Sequence, residues 1–222
     1  MVRIYLAEIK ENTEDSERQN ECRGSRHERE SAAAHDLLFR ALEKEFPDLA
    51  GSFCLKKDER GKPYLSGHEE IYISISHSGE LAACAIGDRP VGVDVEERKS
   101  RSGQLRILRK FHDAERQWLE NQDPENQPEA FYDLWVRKES FLKATGDGLR
   151  LRLDSFCTVD EEIRKGADLY TSAVCRVVQN VRPETYYILQ YRMPGKNYSL
   201  AACSTEQSFE NEPVWISQRE EF

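Results

Sequence analysis

The apolar positions of this chain change period several times, and each change marks an element. Val2, Ile4 and Leu6 alternate with other residues across positions 2 to 9, predicting an opening strand. From Glu11 to Ser31 the chain is polar and dense in charge, which predicts a loop or an exposed helix start. Ser31 is a suitable N-cap, and Leu37, Leu38, Ala41 and Leu42 then recur at helical spacing. A helix is therefore expected from Ser31 to about Lys44, stopped by Pro47. Gly61-Lys62-Pro63 is turn chemistry, and the runs Ile71 to Ile75, Leu81 to Ile86 and Val91 to Val95 have strand length. The charged stretch Glu96 to Arg101, ending near Gly103, divides an N-terminal half (1–102) from a C-terminal half (103–222).

The second half opens with a helical pattern around Leu105, Leu108, Phe111, Trp118 and Leu119, then a polar loop from Asn121 to Pro128. The longest predicted helix runs from about Glu129 to Thr145 and ends at Gly146 and Gly148. Strands are expected at Ser155 to Val159, Ala173 to Val178, Tyr186 to Tyr191 and Ser199 to Cys203. The tetrapeptide Leu81-Ala82-Ala83-Cys84 returns as Leu200-Ala201-Ala202-Cys203, each time after a strand-like run and a turn containing glycine. A duplicated α/β unit of roughly 100 residues is the hypothesis this echo raises.

Charge narrows the partners. The chain carries 32 basic and 41 acidic residues, a formal charge of -9. A surface of that sign repels a phosphate backbone, which argues against a general nucleic-acid binder but leaves room for a local basic pocket. The six cysteines, at 22, 54, 84, 157, 175 and 203, include no Cys-x-x-Cys and have no histidine at zinc-finger spacing. Isolated thiols in a reducing compartment are expected. The opening residues lack a long apolar core, so neither a signal peptide nor a membrane span is expected there. The expectation is a cytoplasmic protein.

Three clusters carry chemistry. Ser74-Ile75-Ser76-His77-Ser78-Gly79 closes an apolar strand with a polar turn, whose imidazole, hydroxyls and N–H groups suit a phosphate. An ordinary surface histidine is the other reading. In Val91-Gly92-Val93-Asp94-Val95-Glu96, strand alternation puts Asp94 and Glu96 on one face, about 7 Å apart along the backbone. Two neighbouring carboxylates repel each other unless a cation or donor lies between them. Without histidine or cysteine beside them they suit a hard cation, magnesium rather than zinc; two solvated acids at a strand end is the plainer account. In the helix around Trp135, the residues Phe131, Leu134, Trp135 and Leu142 form an apolar stripe, and Lys138 falls within it. Glu139 and Lys143 flank the stripe four residues apart, either as a surface pair or as a third carboxylate and a phosphate-binding lysine. Three carboxylates, two or three lysines and a histidine, without a Walker loop or an activated nucleophile, suit magnesium-assisted displacement at a pyrophosphate.

In this order, Gly61-Lys62-Pro63, Ile75-Ser76-His77-Ser78, Val91 to Glu96 and Trp135 to Lys143, continued by Gly146-Asp147-Gly148-Leu149 and Leu151 to Phe156, resemble the 4'-phosphopantetheinyl transferase superfamily. The long, surfactin-synthetase-activating (Sfp) type is the nearest in kind, and the resemblance covers nearly the whole chain. It implies an α+β fold, a pseudo-two-fold monomer of two similar α/β halves with coenzyme A in the cleft between them. It further implies that Asp94, Glu96 and Glu139 hold Mg2+, with Mn2+ as an alternative. His77, Lys143 and Ser76 would meet phosphates, a place the helix pattern also offers Lys138, and Lys62 with Pro63 would line the adenosine end.

The implied reaction moves phosphopantetheine from coenzyme A to a serine of an apo acyl or peptidyl carrier protein, with Glu139 as base and Lys143 and His77 assisting. Family members commonly carry basic residues before and within the first long helix. Here Arg23, Arg26, His27 and Arg29 precede the expected helix, and Arg29 or Arg26 is the candidate for the 3'-phosphate. The basic run Arg98, Lys99, Arg101, Arg106, Arg109 and Lys110 offers a strip for an acidic carrier, or a solvated surface. A magnesium-dependent nucleotide pyrophosphohydrolase and a non-catalytic module binding coenzyme A or a carrier are the competing readings.

Overall fold

A computed structural model describes residues 1–9, 23–99, 103–164, 166, 169–170 and 174–217. The elements, in chain order, are β1 (Arg3–Glu8), α1 (Arg23–Glu45), β2 (Leu55–Lys57), β3 (Pro63–Leu65), β4 (Tyr72–Ser78), β5 (Leu81–Gly87) and β6 (Val91–Glu97), followed by α2 (Gln104–Leu108), α3 (Asp113–Glu120) and α4 (Gln127–Thr145). Then come β7 (Phe156–Cys157), α5 (Glu161–Arg164), β8 (Cys175–Arg176), β9 (Val178–Gln179), β10 (Tyr187–Tyr191), β11 (Tyr198–Ser204) and β12 (Val214–Trp215).

Two four-stranded sheets organise these elements, in the orders β12-β1-β5-β4 and β6-β11-β10-β8. All neighbours within them are antiparallel except β1 with β12. In the first, β4 and β5 form a hairpin turned at Gly79, whose φ of 61° is one that glycine adopts without strain. The echoed tetrapeptides occupy corresponding places: Leu81–Cys84 lies on β5 and Leu200–Cys203 on β11, each a strand with partners on both sides. Both strands are almost fully buried, because a helix covers a face of each sheet: α1 over the first, α4 over the second. The sheets do not divide at residue 103. β6 pairs with β11, and β12 returns to β1, so each sheet takes strands from both sides of that boundary.

α1 begins at Arg23, eight residues before the expected N-cap at Ser31. Arg and Glu are good helix formers, and Arg26 pairs with Glu30 four residues on (3.0 Å), so the charged approach is helix rather than loop. Arg26, His27 and Arg29 therefore sit on α1 and do not precede it. α4 agrees with its sequence pattern to within two residues and ends at Gly146, in the left-handed conformation at φ 73°. It is buried almost all round, from Ala130 to Ala144, because it packs on β6 and β11 while α3 closes its other side.

Cys54 is an exposed free thiol, and Cys84, Cys157, Cys175 and Cys203 are buried free thiols; Cys22 and Arg101 lie outside the described residues. Among the described residues no helix is long and apolar enough to cross a membrane.

Candidate active site at the seam between the sheets

The two sheets meet at their edge strands, β4 and β6, with no backbone ladder between them. Serine hydroxyls supply the missing partners. Ser74, Ser76 and Ser78 alternate along one face of β4, and each Oγ accepts from a backbone N–H of β6: Val93 (3.0 Å), Val95 (3.3 Å) and Glu97 (3.1 Å) respectively. Two of these hydroxyls also donate onward. Ser76 Oγ donates to Asp94 Oδ1 at 2.8 Å, and Ser78 Oγ donates to Glu96 Oε2 at 2.9 Å. The three serines are 4–7% exposed, so each satisfied hydroxyl replaces water at a seam that would otherwise strand buried N–H groups. Ser76, expected at a phosphate, has its hydroxyl turned to the Asp94 carboxylate. The ladder role of Ser74 and Ser78 was missed, although its signal was present: three serines at a period of two in an otherwise apolar strand.

α4 completes the seam. Gly92 lets it approach, since a Cβ there would lie 2.0 Å from the Ser140 carbonyl and 2.4 Å from the Ala144 nitrogen. This contact presents Glu139 and Lys143 to the acids of β6. Lys143 Nζ donates to Asp94 Oδ1 at 2.7 Å and to the Ile75 carbonyl at 3.3 Å, linking α4, β6 and β4 through one ammonium. Glu139 feels the result as a raised pKa. Burial and the nearby Asp94 charge push it up to about 7, with Lys143 pulling down and Glu96 adding to the rise.

Glu139 and Lys143 also border a cavity of about 250 Å³, whose other walls include Lys62, Pro63, Ser74 and Ile75. Lys62 is committed to structure as well as to this wall: its Nζ donates to the Ala144 carbonyl at the end of α4 (2.7 Å). Burial lowers its pKa to about 8.

His77 points the other way from Ser76, as strand alternation requires, and meets α1: its Nδ1 lies 3.3 Å from Glu30 Oε2. Burial lowers its pKa, Glu30 opposes that shift, and the charges of His27 and Lys143 add to it. Arg29 is half-buried on the same stretch of α1.

Lys138 is the clear correction. Expected at a phosphate, it is instead fully buried on the far side of α4. Its ammonium pairs with Glu115 at 2.7 Å, donates to the carbonyls of Leu153 (2.8 Å) and Phe156 (3.0 Å), and lies 3.9 Å from the centre of the Phe156 ring. Its place within the apolar stripe meant burial, not a ligand. Glu115 also accepts from the Thr158 N–H and hydroxyl (2.7 and 2.8 Å) and from the His112 N–H (3.1 Å), so the pair is hydrogen-bonded throughout. Arg98, placed in the basic strip, likewise turns inward: it binds Glu129, Asp133, Ser199 and Tyr170. Lys99 is exposed and pairs with Glu97; Arg106, Arg109 and Lys110 are the other exposed cations of that strip among the described residues.

The three acids share one neighbourhood without closing into a cage. Among the described residues, Asp94, Glu96 and Glu139 do not bring ligand atoms all within 4.8 Å of one another. Yet Asp94 Oδ2 is buried with no hydrogen-bond partner, an acceptor that a cation or donor would satisfy. An open, all-oxygen set of this kind fits Mg2+, which keeps several waters and takes one or two carboxylates together with substrate phosphates.

The 4'-phosphopantetheinyl transferase superfamily model matches residues 90–203, which contain both β6 and α4. The chain belongs to this family. It is 30% identical over 211 residues to the 4'-phosphopantetheinyl transferase Sfp of Bacillus subtilis (strain 168), covering 92% of this chain and 88% of that one. A further Bacillus subtilis 4'-phosphopantetheinyl transferase is 34% identical over 145 residues, 64% of each chain. The 4'-phosphopantetheinyl transferase gsp of Aneurinibacillus migulanus is 37% identical over 106 residues, 47% of this chain and 43% of that one. Within the family, this chain is of the Sfp type, and the matched region holds Asp94, Glu96, Glu139 and Lys143, the groups gathered at the seam.

Proposed function

We propose that this family member transfers the 4'-phosphopantetheine of coenzyme A to a serine of an apo acyl or peptidyl carrier protein, as a monomer of two pseudo-two-fold halves. The observation that carries the reading is the seam itself. Lys143 is bonded to Asp94, Glu139 and Lys143 border a cavity, and burial with the Asp94 and Glu96 charges raises the Glu139 pKa to about 7.

Asp94, Glu96 and Glu139 would hold Mg2+, which when bound neutralises charge developing on the pyrophosphate. Glu139 accepts the proton of the carrier serine hydroxyl, and a pKa of about 7 suits a general base working near neutral pH. The serine oxygen forms its bond to the β-phosphorus, the pyrophosphate P–O bond breaks, and adenosine 3',5'-bisphosphate leaves. Lys143, anchored on Asp94, supplies positive charge where the phosphates gather it. His77 and Arg29, on the α1 side, meet the 3'-phosphate, while Pro63 and the Lys62 stem line the adenosine end.

Intact-mass measurement of an apo carrier incubated with the protein, coenzyme A and Mg2+ tests this. A phosphopantetheine mass gain on the carrier is expected. Consumption of coenzyme A without that gain would replace the transferase by a pyrophosphohydrolase, and binding with neither would leave only a binding module.

A further inference from the structure

A second cluster of ligating atoms stands apart from the carboxylates of the seam. His27 and Glu30 are three residues apart on α1 and therefore share a face of the helix, which lies against His77 of β4. One ligand atom from each of His27, Glu30 and His77 falls within 4.8 Å of the other two. The imidazole centroids are 5.2 Å apart with the rings tilted by 56°, and His77 Nδ1 is 3.3 Å from Glu30 Oε2. Arg26 occupies the other oxygen, donating to Glu30 Oε1 at 3.0 Å, so Oε2 is the oxygen left facing His77. His27 is exposed and the other two are partly buried, so a solvated ion reaches them without opening the fold.

The donor chemistry differs from that at the seam. Two imidazole nitrogens and one carboxylate oxygen are a set for a borderline-soft ion, and His2Glu with an open fourth position is a familiar zinc arrangement. Glu30 is paired with Arg26 through Oε1, yet its Oε2 lies against His77, where a negative charge opposes an anion. We propose that His27, Glu30 and His77 form a transition-metal site, for Zn2+ or a chemically similar ion, distinct from the all-oxygen magnesium set. Because His77 is also assigned to the coenzyme A phosphates, occupancy of this site competes with coenzyme A; this second half rests on the proposed transferase reaction.

Titration of Zn2+ against a chromophoric chelator, with Mg2+ saturating, tests the site on the full chain. One Zn2+ per chain is expected. His27→Ala, at an exposed helical position, should weaken it by about 100-fold, the upper end of what even outer-shell changes cost a metal site. Glu139→Gln should leave it unchanged. Co2+ in place of Zn2+ should give visible bands in the wild type that His27→Ala loses, with far-ultraviolet circular dichroism confirming that the variant is folded. Failure to bind, equal binding by His27→Ala, or loss of binding in Glu139→Gln would each overturn the site. In the transfer assay, Zn2+ should raise the KM for coenzyme A in the wild type and not in His27→Ala. Zn2+ binding without that change would overturn the competition alone. A chain that transfers nothing would overturn the proposed reaction, while the titration still decides the site.

Discussion

Glu139→Gln should make the metal-free protein more stable at the same time as it disables it. The carboxyl is raised from an ordinary 4.5 to about 7, first by burial and then by Asp94, with Glu96 adding to the effect. A raised carboxylate pKa means that the folded state holds the proton more tightly than the unfolded chain. Its contribution is intact below pH 4.5 and is lost as pH rises through 7. At 1.36 kcal/mol per tenfold in proton affinity, the loss reaches about 3 kcal/mol at pH 8, an upper value for a group with some solvent access. Glutamine keeps the shape of the protonated acid and never ionises, so it escapes that loss. Chains of this size shift by about 2–4 °C per kcal/mol. The variant should therefore melt up to about 10 °C above wild type at pH 8 in a chelator, and level with it at pH 4.5. Differential scanning calorimetry at the two pH values reads this directly. Adding Mg2+ at pH 8 should close the gap, because it stabilises wild type more than the variant. Turnover by the variant should fall by about 10²–10⁴-fold, the usual worth of a general base. A variant no more stable than wild type at pH 8, or equally stabilised at pH 4.5, would refute the electrostatic account of the seam.

The other perturbations separate structure from chemistry. Lys138→Met leaves Glu115 buried without its cation and should cost about 3–5 kcal/mol in a urea titration; a phosphate-binding role would instead raise the KM for coenzyme A and spare stability. Gly92→Ala drives a methyl group into the backbone of α4 and should cost about 1–3 kcal/mol or more, with turnover falling as Glu139 and Lys143 shift away from Asp94. Charge reversal at Arg106 and Arg109, both exposed, should raise the KM for an acidic carrier by about tenfold at low salt and leave that for coenzyme A unchanged; a carrier KM equal to that of wild type would remove this strip from carrier docking.

Much of the molecule could be read from local pattern, because period and punctuation are local properties. The alternation through Val91–Glu96 placed Asp94 and Glu96 on one face of β6, and Gly146 ended α4 where the pattern stopped. The repeated Leu-Ala-Ala-Cys marked two strands with similar positions in their sheets. Composition and spacing also named the carboxylates and Lys143 that gather at the seam. What they did not show was which side of α4 each charge takes. Lys138 and Glu139 are adjacent in sequence, yet one enters the core and the other faces Asp94. That choice depends on Glu115, Thr158 and Phe156, which the sequence holds far from the helix.

Ser76 changed role for the same reason. Its partner is set by β6 lying edge to edge with β4, and strand pairing across such a distance is a property of the whole chain. Residue type and periodicity thus determined the elements and the available chemistry. Only the packing of β4, β6 and α4 decided which groups share a dielectric and a partner, because burial and proximity arise between segments rather than along them.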